Sequence, residues 1–257
     1  MAGQSFSVVN NLASIDAQRN LYGTQMGLTK TLGRMASGYR IVEAGDDAAG
    51  LAIANKLKAD VTALGQASRN ANDGIALIQI ADGALSKITD LLTRAVTLAE
   101  QAASETVGDT ERSTINTEYR QILNEIDRVV SVANFKGESL FNSGSAVTKS
   151  IFVGDTNFQS TITISIAGAN GGGTAALGLS STGGSFSGVA TAASSRTTLT
   201  LLKTAIASVS KWRGALGAQQ NRLVNSVGII QIQAQNLQAA ESTIRDANMA
   251  EEVVNMT

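Results

Sequence analysis

The chain has 257 residues, 43% apolar but only 4% aromatic, and its 20 basic and 21 acidic side chains leave a formal net charge of −1. That balance supplies no electrostatic attraction to nucleic acid or to an anionic membrane. There is no histidine, cysteine or proline, which removes the commonest general base, thiol chemistry, disulfides and thiolate metal sites. Catalysis by Asp, Glu, Lys, Ser or Tyr stays open.

The first twenty residues, MAGQSFSVVNNLASIDAQRN, carry neither a basic start nor a continuous apolar run, so no Sec-type signal peptide is expected. No stretch is long and apolar enough to span a bilayer. Val8, Leu12, Ile15, Tyr22 and Met26 begin a helical apolar stripe, weakened by Gly23 and Gly27. The helix should end near Ser37-Gly38, because glycine is favoured just past a helix C-terminus. Residues 39–42 are β-prone and read as extended.

Next comes the acidic pair Asp46-Asp47, directly before the helix formers Ala48, Ala49, Leu51, Ala52 and Ile53. A carboxylate at a helix start accepts a free N–H of the first turn and favours the macrodipole, a gain of about 1 kcal/mol. We therefore read both aspartates as helix caps, ahead of a metal site or an acid/base pair. A metal site needs further oxygen ligands at loop spacing, and no such pattern follows.

Three apolar seams follow in chain order. Ile78, Ala81, Leu85, Ile88, Leu92, Ala95, Ala99 and Ala102 step by threes and fours, and Ile115, Tyr119, Ile122, Ile126, Val129 and Ala133 do the same. The last contains Leu202, Ile206, Val209, Leu216, Leu223, Val227, Ile230, Ala234, Leu237 and Ile244, interrupted by Arg213, Gln220 and Glu241. Spacing near 3.5 is that of coiled coils, and the polar interruptions can set register. An ordinary helical bundle and a coiled coil pairing the two chain ends both fit. Trp212 stands beside the last seam and reads as a packing residue.

Between the helical blocks, residues 143–196 are dense in Gly, Ser and Thr. Ser150 to Val153 and Thr161 to Ile166 alternate with period two, placing Ile162, Ile164 and Ile166 on one strand face. Gly168 and Gly171-Gly172-Gly173 mark loops; without a following Lys-Ser/Thr the glycine run is no phosphate cradle. The exposed Ser and Thr residues there read as polar loop, a surface open to O-linked glycans. The fold class read from the residues is helices, a small β-containing insert, and a returning helix.

Several motifs stand in an order with a family likeness: SGYRIVEAGDDAAGLAIANKL (37–57), RNANDGIALIQIADGAL (69–85), LNEIDRVVSVANFKGESLF (123–141), WRGALGAQQNRL (212–223) and ESTIRDANMAEEVVNMT (241–257). Together they resemble the two end regions of bacterial flagellins. The resemblance implies a mainly α fold in which long coiled-coil-like helices from both chain ends pack together around a small β-containing inserted domain. It implies an N-terminal inner-tube helix (1–40), a helical domain (41–142 and 197–245), a variable outer domain (143–196) and the start of a C-terminal inner-tube segment (246–257).

By the same resemblance the protein is a structural subunit of the extracellular flagellar filament, not an enzyme, with no cofactor or metal. Its partners are further flagellin subunits, the flagellar type III export apparatus and the filament cap. A minor filament or hook–filament junction component is the alternative. The aspartate pair would start the helix after the inner-tube connection, and Arg40 would pair with an acidic residue of the same or a neighbouring subunit. Arg94, Leu98 and Glu118, within LTRAVTLAEQA and NTEYRQILNEI, match positions that the Toll-like receptor for flagellin recognises in the family. Flagellins usually continue past the position of Thr257, so the resemblance implies weak or no filament formation by this chain alone and a loose N-terminal helix.

Overall fold

A computed structural model describes residues 11–141, 147–154, 161–166, 173–179 and 188–257. Val8, Gly168, Gly171 and Gly172 of the sequence reading lie outside them. The chain divides into two compact units, one of residues 1–62 with 232–257 and one of residues 63–231. Two long helices, α2 (Ala48–Ala103) and α4 (Ala192–Arg245), contribute to both units.

In the terminal unit, α1 (Leu12–Ser37) starts at Asn11, whose side chain accepts the Ser14 N–H at 3.2 Å. It ends, as its sequence predicts, at Gly38, which adopts φ +72° and bonds back to the Arg34 carbonyl. None of its 26 residues is buried. The following segment pairs with the end of α4. Tyr39 and Asp246 form an antiparallel bridge, Arg40 N–H donates to Arg245 O at 2.7 Å, and Ala247 N–H donates to Gly38 O at 2.9 Å. The Arg245 guanidinium lies 4.2 Å from the Tyr39 ring centroid, a cation–π contact. A short helix, α5 (Met249–Met256), capped by Asn248, then packs on α1.

The other unit holds the core. Ile78, Ala81, Leu85, Ile88, Leu92, Ala95, Ala99 and Ala102 are all buried, so the seam read from spacing is the buried face of α2. Against it pack Ile115, Tyr119, Ile122 and Ile126 of α3 (Asp109–Val132) and Leu202, Val209, Leu216 and Leu223 of α4. The small side chains let the helices approach closely, which is how so few aromatics fill a core.

Arg112 shapes the α2–α3 connection. Its side chain is 8% exposed, with Nε donating to Ala102 O at 3.0 Å and Nη2 to Ser104 O and Val107 O at 3.1 and 2.9 Å. Nη1 reaches Asp109 at 3.0 Å. One guanidinium thus satisfies carbonyls at and beyond the end of α2 that no helix bond serves.

Two hairpins complete the unit. β1 (Asn134–Phe135) and β2 (Glu138–Ser139) are joined by Lys136-Gly137, both at positive φ, as a tight primed turn requires. This hairpin was not foreseen in the sequence, where Lys stands at a position that more often carries Asn. β3 (Val147–Phe152) pairs antiparallel with β4 (Thr161–Ile166), from Val147↔Ile166 to Phe152↔Thr161. Ile162, Ile164 and Ile166 turn into the core, as their alternation predicts. Gly74 of α2 admits this packing, because a Cβ there would lie 3.2 Å from both Ile151 and Leu223 side chains.

The start of α4 differs from the reading of residues 143–196 as loop and strand throughout. The Thr191 hydroxyl accepts the Ser194 N–H at 3.1 Å, capping a helix whose Ser195 and Thr198 are buried. Serine and threonine bonded to nearby backbone carbonyls are compatible with a helix interior, and here they obscure its first turn.

Candidate functional site

The structure assigns the two adjacent aspartates different roles. Asp47 is the cap of α2, its Oδ1 accepting the Gly50 N–H at 2.9 Å. Gly50 is needed there, since a Cβ would meet the Asp47 carboxylate at 2.3 Å and buried Ile41 at 2.9 Å. Asp46 is not a cap, contrary to the sequence reading. Its carboxylate turns back to accept the Val42 and Glu43 N–H groups at 3.1 and 3.3 Å, and it pairs with Lys30 and, at 3.5 Å, Arg34 of α1. A carboxylate one residue outside the cap reaches the preceding turn more readily than the helix.

Arg34 is the centre of this cluster. Its other partner is Glu252 of α5, at 3.6 Å and with a side chain only 9% exposed. One cation therefore ties α1 both to the turn before α2 and to α5. Lys30, Arg34 and Glu252 were not singled out from sequence. The available signal was two cations four residues apart near the C-terminus of α1, where the macrodipole favours them. Within this chain Arg40 donates to the Ile244 carbonyl at 2.6 Å, and not to an acidic residue of the same subunit.

Hydrogen bonds from Lys30 first, and from the two backbone N–H groups next, lower the Asp46 pKa from 3.8 to about 2. A lowered carboxylate pKa means that the unfolded chain takes up the proton first. The stabilising contribution is complete above 3.8 and is lost as pH falls towards 2. We expect α1 helicity to fall across that window, and Asp46→Asn to flatten the pH dependence. Circular dichroism of both chains checks this.

The remaining predicted residues fall into three settings. Ile78, Leu85, Ile88, Leu92, Leu216, Leu223 and Ile230 are buried, and Val227 and Leu237 are half-buried. Leu12 and Ile15 are 72% and 43% exposed, so the stripe that begins α1 faces open space within this chain. Arg94 and Glu118 meet across α2 and α3 in an exposed ion pair at 2.6 Å, whereas Leu98 lies 3% exposed in the core. Arg213, one of the polar interruptions in the last seam, forks onto Asp82 of α2 at 2.7 and 3.3 Å. That hydrogen-bonded pairing raises the Arg213 pKa further. Gln220 and Glu241 are half-buried.

Among the described residues no group of three or more acidic side chains could hold a metal ion. No described helix is long and apolar enough to cross a membrane. What the molecule offers instead is apolar helix surface: Leu12, Leu21, Tyr22, Met26, Leu28 and Leu32 along α1, and Val224, Ile229 and Ile232 along α4, are all exposed.

Comparison with known proteins places this arrangement. Residues 8–146 match the bacterial flagellin N-terminal helical region, and residues 199–257 match the bacterial flagellin C-terminal helical region. The chain is 37% identical over 255 residues to a flagellin of Halalkalibacterium halodurans, covering 96% of this chain and 88% of that protein. It is 36% identical over 262 residues to the flagellar filament 33 kDa core protein of Treponema phagedenis, covering 96% and 89%. Bacillus cereus flagellin, known from a crystal structure, aligns over 67% of this chain and 94% of its own at 29% identity, with a TM-score of 0.52. Matched over both helical ends and along nearly its whole length, the chain belongs to the bacterial flagellin family.

Proposed function

We propose that this flagellin works as a structural subunit of the extracellular flagellar filament through contacts between copies, with α1 as a principal contact surface. It is not an enzyme. The observation that carries the proposal is α1 itself: a 26-residue helix that buries no residue within its own chain yet displays an apolar stripe. Helices depend mainly on tertiary packing for their stability, and contiguous exposed apolar surface marks interaction sites. Leu12 and Ile15 are inter-helix packing residues on this reading, completed by another copy. Leu21→Gln with Leu28→Gln leaves residues 63–231 folded and should lower the fraction pelleting with flagellin filaments by roughly tenfold, as sedimentation would show. Unchanged pelleting would remove α1 from the contact.

The same proposal assigns the chain to unfolded export through the flagellar type III apparatus and to assembly beneath the filament cap. A chain without proline or cysteine is suited to threading and rapid refolding, since neither slow isomerisation nor disulfide exchange intervenes. Recognition by the Toll-like receptor for flagellin would fall on Arg94 and Glu118, with Leu98 supporting them from the core. What supports it is the exposure of that charged pair on two adjacent helices. Arg94→Ala should lower a receptor-reporter response by about tenfold, at the scale of an interface arginine. An unaltered response would remove this surface from the proposal.

A further inference from the structure

All five methionines of the chain, Met1, Met26, Met35, Met249 and Met256, belong to the terminal unit, and residues 63–231 contain none. With no cysteine in the sequence, these thioethers are its only sulfur. Of the four that lie among the described residues, three are accessible: Met26 is 58% exposed, Met249 45% and Met256 38%, while Met35 is half-buried.

Their placement is specific. Met249, Glu252 and Met256 stand at i, i+3 and i+7 on α5 and share a face. Glu252 is the residue by which that face reaches Arg34 of α1. Met26 lines a groove on α1 together with Tyr22, Lys30, Arg34, Val42 and Asp46. Exposed thioethers thus border both sides of the ion-pair cluster that ties α1, the turn before α2 and α5.

We propose that Met26, Met249 and Met256 form a peroxide-responsive modification site that controls the docking of α5 on α1. The sulfur lone pair attacks one oxygen of hydrogen peroxide and the O–O bond breaks. That oxygen stays on sulfur as the sulfoxide, and the other leaves as water after proton transfer. The thioether loses two electrons and the peroxide gains them. A flexible apolar side chain becomes a polar one, and methionine sulfoxide reductases reverse the change. Sulfoxides flanking Glu252 draw water to the face that holds α5. The lack of thioethers confines the response to the terminal unit.

The test treats the purified chain with hydrogen peroxide, maps the added oxygen by peptide mass spectrometry, and follows amide hydrogen exchange. Oxygen is expected at Met26, Met249 and Met256 before Met35. Exchange within 249–256 should accelerate by about tenfold while the α2 seam is unchanged. Incubation with methionine sulfoxide reductases should restore the slow exchange, and the chain carrying M249L and M256L should resist the acceleration. Equal exchange in oxidised and untreated chains overturns the proposal, as does equal acceleration in the leucine variant. Reversal by the reductases is read on the unsubstituted chain, so the test stands if the variant folds poorly. Neither readout requires polymerisation, so failure here is distinct from failure of the filament reading.

Discussion

Arg112→Met should destabilise the unit of residues 63–231 by about 3 kcal/mol, the cost of stranding several carbonyls whose donor is removed. The Ala102 and Val107 carbonyls take their hydrogen bonds from this one guanidinium, the Ser104 carbonyl shares it with the Val107 N–H, and its side chain is 8% exposed. Methionine keeps much of the apolar stem, so the loss isolates the hydrogen bonds from the packing. Thermal unfolding should shift down by about 8 °C for a unit of this size. Arg112→Lys should recover little, because an ammonium on a single point cannot serve three divergent acceptors as the planar fork does. A melting temperature within a degree or two of the parent would contradict the role assigned to Arg112.

Arg34→Met should release α5 from α1. Its partner Glu252 is 9% exposed and would be left as a buried carboxylate without its cation. Removing one member of such a pair is worse than removing both. Arg34 is itself 26% exposed, which moderates the expected loss to about 2 kcal/mol. That corresponds to roughly 30-fold faster amide exchange across α5. An eight-residue helix has no independent stability, so loss of docking and loss of helix should coincide. The double substitution Arg34→Met with Glu252→Gln should regain part of the protection by replacing the stranded charge with a neutral amide. If the double variant exchanges as fast as the single one, the ion pair is not what holds α5.

Much of this fold was legible because its dominant signal is periodic. The seam from Ile78 to Ala102 needed only spacing, and every member is buried. The strand face of Ile162, Ile164 and Ile166 needed only alternation, and the end of α1 needed only Gly38. What escaped was set by individual side chains acting across long sequence separations. Asp46 and Asp47 are chemically equivalent neighbours, and only the positions of Lys30 and the 42–43 amides make one a cap and the other an ion-pair partner. The family likeness implied a salt bridge for Arg40, yet within this chain a backbone carbonyl 204 residues away accepts its N–H. The helical start at Ala192 was hidden because serine and threonine there resemble loop until their hydroxyl bonds are known.

The candidate interaction surface was partly legible for the same reason. An apolar stripe can be read from Leu12, Ile15, Tyr22 and Met26, but spacing does not say whether the same chain covers it. Leu98 shows the converse: a residue assigned by likeness to an exposed surface sits within the core, whereas Arg94 and Glu118 are exposed. Periodicity finds the apolar face of a helix, and only the fold tells which face has a partner.

The central claim is that this chain acts by repeated helix contacts between copies. The most direct test is sedimentation with negative-stain electron microscopy on the purified chain mixed with short filaments of a known flagellin. Filaments that incorporate the chain and carry it into the pellet are the predicted result. A chain left wholly in the supernatant, under conditions in which that flagellin polymerises, would contradict it.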